Sequence, residues 1–248
     1  MKNKVKSSPK PKVVSEPVWL KARKKLLAKE KAFTRLRDKL SAERRKLPWV
    51  KVENNYVFDG PSGKVTLVDL FGNKSQLIIY HFMFDPKWEE GCPSCSYLSD
   101  HYDGALVHLA HRDVAFAAVS RASFEKIKAF QERMGWHFPW VSSHANDFNF
   151  DYGVSFTKEG IAKGTSYYNY EKLTDPNDAG EGPGLSVFYK DKSGRIFHTY
   201  STYARGLDIL VGTYNFLDLV PKGRDEDKLS FPMAWVRRHD KYGDDLLL

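Results

Sequence analysis

The sequence predicts an α/β fold with a central mixed sheet flanked by helices. Two runs of strand length, Leu77–Phe84 and Val114–Val119, are apolar enough to be covered on both faces of a sheet. Residues 94–110 between them are compatible with a helix, and residues 123–134 predict a second helix. This strand–helix–strand–helix order is typical of parallel strands joined by right-handed crossovers.

Two hairpins and a closing helix complete the predicted domain. Each hairpin joins two short apolar runs through a turn rich in Gly, Ser and Asp, and the pairs are 56–58 with 65–67 and 185–189 with 196–200. Residues 205–220 follow as the closing helix. Residues 144–183 are rich in Asn, Gly, Tyr and Asp, so we expect them to be an irregular insertion.

The N-terminal arm has a different composition from the rest of the chain. Residues 1–17 lack apolar periodicity and predict a disordered basic tail, residues 18–47 predict one long helix, and residues 48–248 form the predicted α/β domain. Residues 1–47 carry 17 Lys and Arg against 4 Asp and Glu, whereas the remainder carries 22 against 27. The basic charge therefore belongs to the arm, which disfavours nucleic-acid binding by the whole protein.

A narrow apolar stripe runs along the N-terminal helix, formed by Leu26, Phe33, Leu36 and Leu40. Such a stripe is typical of a helix that docks on its own domain or on a second copy of the chain, which would make a homo-oligomer. The alternative is that the basic face of the helix contacts an acidic partner.

The sequence contains no run of about 18 apolar residues, so no membrane span is expected. Its first residues are basic but lead into Ser, Pro and Lys rather than into an apolar signal segment. We expect a cytoplasmic protein, and the cytosol keeps ordinary thiols reduced.

The only two cysteines form a Cys92-Pro93-Ser94-Cys95 motif, directly after the predicted central strand and at the start of a helix. Two sulfurs at this spacing on a first helical turn can close a disulfide with little backbone movement. Pro93 suits the first helical position. The N-terminal end of the helix favours a thiolate at Cys92, so Cys92 is the candidate nucleophile and Cys95 the candidate resolving cysteine.

Two other interpretations of the cysteines stay open. A zinc site needs four ligands, and the histidines at 101, 108 and 111 all lie on the helix that follows, which cannot easily wrap around a metal. The cysteines could also be inert structural residues. Because Cys-x-x-Cys beside a βαβ pattern is a recognised redox signature, we expect redox chemistry without a metal or organic cofactor. Glu89 and Glu90 would oppose a thiolate at Cys92.

Several long segments are similar to those of known bacterial proteins, and they are Leu47–Val50, Tyr80–Phe84, Trp88–Cys95, Met134–Trp136, Phe138–Ser143, His198–Gly206 and Met233–Arg238. Through them the chain resembles, over nearly its whole length, a bacterial family of unknown function described as predicted dithiol–disulfide oxidoreductases. The resemblance implies a thioredoxin-like fold and a thiol–disulfide oxidoreductase whose substrate is a protein or small-molecule thiol or disulfide.

The resemblance implies two further site residues. Thioredoxin-like proteins carry a cis-proline that begins the closing hairpin and faces the cysteines, and Pro183 matches it; the alternative is a plain turn proline. Many relatives relay protons to the deeper cysteine through an acidic residue on the central strand. His81 stands at the matching point and could do that work, the alternative being a satisfied core histidine.

The sequence also departs from the patterns of related families. Gly91 replaces the Trp that usually precedes the first cysteine of thioredoxins, and Glu89 stands where a peroxiredoxin would carry Thr, which disfavours peroxidase activity. Arg121 is expected at the same end of the sheet, where it could steady a thiolate, bind an anionic substrate or remain solvated. The alternative to an enzyme is a non-catalytic scaffold of the same fold that contacts an acidic partner through the basic helix.

Overall fold

The computed structural model describes residues 12–243, and the chain divides into two compact units at Pro48. The first unit contains helix α1 (Glu16–Arg44), which begins two residues before the predicted start because Pro17 is tolerated in a first helical turn. The apolar residues of its stripe are exposed. Residues 1–11 of the predicted tail lie outside the described part of the chain, and Lys12–Ser15 have no regular secondary structure.

The second unit is built on an eight-stranded sheet in the order β1-β12-β11-β4-β5-β6-β2-β3, with two small two-stranded sheets beside it. The strands are β1 (Val50–Lys51), β2 (Val57–Gly60), β3 (Gly63–Thr66), β4 (Gln76–His81), β5 (Val114–Ser120), β6 (Trp140–Ser142), β7 (Ser155–Phe156), β8 (Tyr167–Tyr168), β9 (Glu171–Lys172), β10 (Gly180–Glu181), β11 (Gly184–Lys190) and β12 (Ile196–Tyr203). The helices are α2 (Pro93–Ser99), α3 (Asp103–His111), α4 (Phe124–Arg133), α5 (Phe148–Asp151), α6 (Lys158–Ala162) and α7 (Gly212–Leu217).

The centre of the sheet has the strand order and directions of a thioredoxin-like fold. Strand β4 pairs with β5 in parallel through the crossover formed by α2 and α3, and with β11 in antiparallel. Strands β11 and β12 form the closing hairpin. The predicted mixed sheet, its parallel strand pair and its second hairpin are therefore confirmed.

Side chains of β4 alternate between two buried cores, one on each face of the sheet. Tyr80 belongs to the core that contains Cys95, as does Phe82 just after the strand, whereas Leu77 and Ile79 belong to the other. This alternation follows from the two-residue period of a strand, and it decides which residues of β4 can reach the cysteines.

Three predicted elements differ from the structure. The helix predicted at 94–110 is interrupted between α2 and α3, where a turn places Tyr102 in the core against Tyr80. The closing helix predicted at 205–220 is a 3-10 segment, Ala204–Leu210, followed by α7; Gly206 and Gly212 weaken a continuous α-helix there. The insertion predicted at 144–183 contains short helices and strands. No helix within residues 12–243 is long and apolar enough to span a bilayer.

Candidate active site

The two cysteines lie at the start of α2, next to the end of the central strand. Cys92 is the N-cap residue and Pro93 occupies the first helical turn. The Cys92 backbone N–H donates to the carbonyl of Met83 at 3.1 Å, which ties the motif to the segment that follows β4. Both thiols are free; Cys92 is half-buried, and Cys95 is 2% exposed. The structure thus brings the two predicted cysteines together, one accessible and one buried.

The surroundings of Cys92 favour its thiolate. The Cys95 thiol donates a hydrogen bond to the Cys92 sulfur, the backbone N–H groups of Cys95 and Ser94 point towards it, and the positive charge of Arg238 adds to their effect. Together these groups outweigh partial burial and lower the pKa of Cys92 to about 7.

Cys95 has the opposite environment. Burial, the hydrogen bond that it donates to Cys92 and the negative charge on Cys92 raise the pKa of Cys95 well above its ordinary value. Two groups favour its thiolate, namely the Tyr80 hydroxyl and the backbone N–H of Met83, which lies 3.5 Å from the sulfur. The pair is therefore polarised: Cys92 is the first of the two thiols to lose its proton as the pH rises, while Cys95 stays protonated.

The acidic residues before the motif are neutralised by partners on other elements. Glu89 pairs with Lys126 at 3.1 Å. Glu90 pairs with Arg133 and, at 2.7 Å, with Arg238, and the hydrogen bond from Arg133 contributes most to lowering the Glu90 pKa. Because each carboxylate has a cation beside it, the expected repulsion of a thiolate at Cys92 is largely offset.

Arg238 is a site residue that the sequence did not reveal. Its guanidinium donates to the carbonyl oxygen of Gly91 at 2.7 Å and 3.0 Å and is 16% exposed. The residue lies far along the chain from the motif. The segment Met233–Arg238 is one of those that carry the family resemblance, but nothing in that segment indicated a role for Arg238 at the cysteines. It holds the backbone just before Cys92 and brings a positive charge close to the sulfur.

Pro183 lies where the resemblance implies, but with the other peptide isomer. It immediately precedes β11 and lines the same cavity as Cys92. Residues 12–243 contain no cis peptide bond, so the predicted cis isomer is wrong. Trans is the intrinsically preferred isomer even before proline, and the segment is held on both sides: Gly182 N–H donates to Val154 O at 2.8 Å, and Pro183 O accepts from the Tyr168 hydroxyl at 2.9 Å.

His81 does not face the cysteines. Its ring packs against Phe148 and Tyr152 on the opposite face of the sheet, and its Nε2 atom lies 2.8 Å from Ser186 Oγ. Burial lowers the pKa of His81 to about 3, so the ring is neutral at physiological pH. The interpretation of His81 as a proton relay to Cys95 is not supported, because its neighbour Tyr80 occupies that place.

Arg121 lies in an ion pair with a buried carboxylate. Its Nη1 atom is 3.0 Å from Glu181 Oε1, the side chain of Glu181 is 1% exposed, and Ser155 donates to the other carboxylate oxygen at 2.6 Å. The guanidinium also stacks over the ring of Phe150 at 4.5 Å. Arg121 therefore stabilises the segment around β7 and β10, which supports neither a role at the thiolate nor a solvated side chain.

Gly91 explains the missing aromatic residue before the first cysteine. A Cβ atom at this position would lie 2.5 Å from the Phe82 ring and 2.8 Å from the Phe130 ring, both of which belong to the core. No side chain fits there, so the position that usually carries Trp in thioredoxins carries Gly in this chain.

We expect Gly91→Ala to destabilise the protein by about 1–3 kcal/mol, since buried rings must move to admit the methyl group. Gly104→Ala is the matched control, because a Cβ atom there meets nothing within 4 Å and the residue lies in α3. Urea unfolding of both variants and of the unsubstituted protein measures the difference in their free energies of unfolding. Equal midpoints for Gly91→Ala and the unsubstituted protein would contradict the close contact.

The strand order and the cysteine pair define a thioredoxin-like protein with a Cys-Pro-Ser-Cys motif at the start of the helix that follows its central strand. A family model described as a bacterial protein of unknown function (DUF899) matches residues 8–242, and the chain belongs to that family. This match confirms the resemblance found in the sequence. No curated protein matches the chain.

The chain is also similar to solved peroxiredoxin structures. Peroxidoxin BcpB from Mycobacterium tuberculosis has 12% identity and a TM-score of 0.44, covering 67% of this chain and 95% of its own. A cysteine-to-serine mutant of PrxQ from Xylella fastidiosa has 15% identity and a TM-score of 0.44, covering 68% and 94%. A yeast mitochondrial 1-Cys peroxiredoxin has 17% identity and a TM-score of 0.39, covering 66% and 74%.

Proposed function

We propose that this protein is a thiol–disulfide oxidoreductase that cycles Cys92 and Cys95 between dithiol and disulfide. The observation that carries the proposal is the placement of the two thiols at the start of α2, with Cys92 half-buried at the N-cap and Cys95 buried one turn deeper. The pKa shifts agree with it, since the pKa of Cys92 is lowered to about 7 and that of Cys95 is raised. Thiolate is the attacking species in disulfide exchange, so Cys92 attacks the substrate and Cys95 resolves the mixed disulfide.

Tyr80 and Met83 assist the second step in this proposal. Cys95 must lose its proton before it attacks the Cys92 sulfur, and burial disfavours a bare thiolate. The Tyr80 hydroxyl and the Met83 N–H donate to the Cys95 sulfur and stabilise the charge that develops there. Tyr80, and not His81, is thus the β4 residue beside the deeper cysteine, and it acts there as a hydrogen-bond donor.

Alkylation of the reduced full-length protein tests this assignment. We expect iodoacetamide to modify Cys92 before Cys95, with a rate that is half-maximal near pH 7, because the thiolate fraction rises with pH through the pKa. An ordinary thiol would reach its half-maximal rate near pH 8.5. Peptide mapping after partial reaction identifies the modified cysteine.

Substituting Arg238 tests the contribution of its positive charge to the lowered pKa of Cys92. Arg238→Gln should raise the pKa of Cys92 and slow alkylation at pH 6 by roughly two- to fivefold, whereas Arg238→Lys, which keeps the charge, should have a smaller effect. Arg195→Gln is the control, since Arg195 pairs with Asp191 on the second hairpin. In the unsubstituted protein, an alkylation rate that is half-maximal near pH 8.5, or modification of Cys95 before Cys92, would refute the assignment of Cys92 as the nucleophile.

A further inference from the structure

A cavity of about 230 Å³ opens beside the two cysteines. One side is formed by the cysteine motif and the end of the central strand, and the other by the 3-10 segment, α7 and the chain just before Ala234. Its apolar lining includes Met83, Leu98, Pro183, Leu207, Val211 and Met233. A molecule that enters this cavity lies against Cys92.

The charged residues that line the cavity are paired. Arg224 lies 3.1 Å from Asp208 and 2.7 Å from Asp218, and Arg205 lies 3.1 Å from Asp208. The guanidinium of Arg224 also stacks 3.7 Å above the Tyr214 ring. Asp218 lies outside the lining, and each Arg and Asp of the lining has a partner of opposite charge, which weakens its attraction for a charged substrate.

The size of the cavity suits a small apolar group. Pockets for drug-sized ligands usually measure roughly 300–1,000 Å³. A cavity below that range accommodates a short apolar group or a single ring, whereas a large polar peptide would have to lose its hydration in an apolar space.

We propose that this cavity binds one arm of a small, uncharged disulfide and that Cys92 attacks the bound molecule there. This inference rests on the proposed function and specifies its substrate class. A disulfide suits the site because its sulfur atoms are weak hydrogen-bond acceptors and lose little in an apolar cavity. A hydroperoxide would need donors for its oxygen atoms.

The reaction is a balanced two-electron exchange. The Cys92 thiolate attacks one sulfur of the substrate RSSR, a Cys92–SR bond forms, the substrate S–S bond breaks, and RS⁻ leaves and takes up a proton. Cys95 then attacks the Cys92 sulfur and gives up its proton, which the second departing RS⁻ takes up. The Cys92–Cys95 disulfide forms, a second RSH is released, and the protein has been oxidised while the substrate has been reduced to two thiols.

A single-turnover comparison of two probes tests the inference. Reduced full-length protein is mixed with 2,2′-dithiodipyridine, which is uncharged, or with 6,6′-dithiodinicotinic acid, which has the same rings with two carboxylates. Each rate is divided by that of a small free thiol with the same probe. We expect the protein to favour the uncharged probe at least tenfold by this measure.

Variants of the lining residue Leu207 test whether the preference for the uncharged probe arises in the cavity. Leu207→Trp should reduce the preference for the uncharged probe by filling the cavity, and Leu219→Trp is the control because Leu219 is 82% exposed and lies outside the lining. Leu207→Ala shortens the side chain and does not fill the cavity, so it should keep the preference. It is the second variant to measure if Leu207→Trp fails to fold. Circular dichroism checks the fold of each variant.

Three results would overturn the inference. Equal normalised rates for the two probes, or a preference for the dicarboxylate, would show that the cavity does not select an uncharged arm. A normalised rate with cumene hydroperoxide that is faster than the rate with 2,2′-dithiodipyridine would show that the cavity binds a peroxide instead. Failure of both disulfide probes to oxidise the native protein, while they oxidise the urea-unfolded chain, would instead refute the proposed function itself.

Discussion

We expect the Cys95→Ser variant to remain joined to one half of its substrate by a mixed disulfide at Cys92. Unsubstituted reduced protein should release two thiols per chain from 2,2′-dithiodipyridine, whereas Cys95→Ser should release one and keep the other half bound to Cys92. The reason is that attack by Cys92 needs only its own thiolate, while release of the second thiol needs Cys95. Absorbance of the released thione gives the stoichiometry, and the intact mass shows the adduct.

Cys92→Ser is the matched variant and should have the larger effect. Its remaining thiol is buried and has a raised pKa, so we expect its rate at pH 7 to fall by roughly a hundredfold or more. An adduct that forms on Cys95 in Cys92→Ser at a rate close to that of the unsubstituted protein would reverse the assigned roles. Similar alkylation of both urea-unfolded variants shows that the thiols themselves are intact.

Tyr80→Phe should slow the second step without slowing the first. A hydrogen bond to a charged group contributes roughly 1.5–3 kcal/mol, so loss of the hydroxyl should reduce the rate of release of the second thiol by about tenfold to a hundredfold. The first thiol should be released at an unchanged rate, because Cys92 keeps its own partners. Stopped-flow absorbance separates the two phases.

Tyr102→Phe provides a closely matched control for Tyr80→Phe. The Tyr102 ring lies 5.2 Å from the Tyr80 ring in the same core, and its buried hydroxyl has no hydrogen-bond partner within residues 12–243. Removing an unpaired buried hydroxyl should leave both phases unchanged and should not reduce stability. Equal slowing of the second phase in both variants would show that Tyr80 acts through packing alone.

The sequence was sufficient to predict the centre of the fold and the position of the cysteines. Leu77–Phe84 and Val114–Val119 are long apolar runs, and the parallel pairing of β4 with β5 follows from the helical crossover between them. Strand β6 was missed because it has three residues, too few to produce an alternating pattern. The break between α2 and α3 was missed because it depends on the burial of Tyr102, a tertiary effect.

The errors at the site have a common physical origin. Tyr80 and His81 are adjacent on β4 and point to opposite faces of the sheet, so assigning the relay role one residue too far along the strand moves it to the wrong core. Arg238 reaches Gly91 through the tertiary fold, across a sequence separation of 147. Local patterns carry no information about such a contact.

In the proposed function, Cys92 and Cys95 form one reversible two-electron couple. Its most direct test is to equilibrate the full-length protein in reduced and oxidised dithiothreitol at defined ratios, quench with an alkylating reagent and measure the intact mass. We expect a single transition with a tenfold change in ratio per about 30 mV, at a potential above roughly −300 mV, because the lowered pKa of Cys92 stabilises the reduced form. Two free thiols at every ratio, or disulfides only between chains, would contradict it.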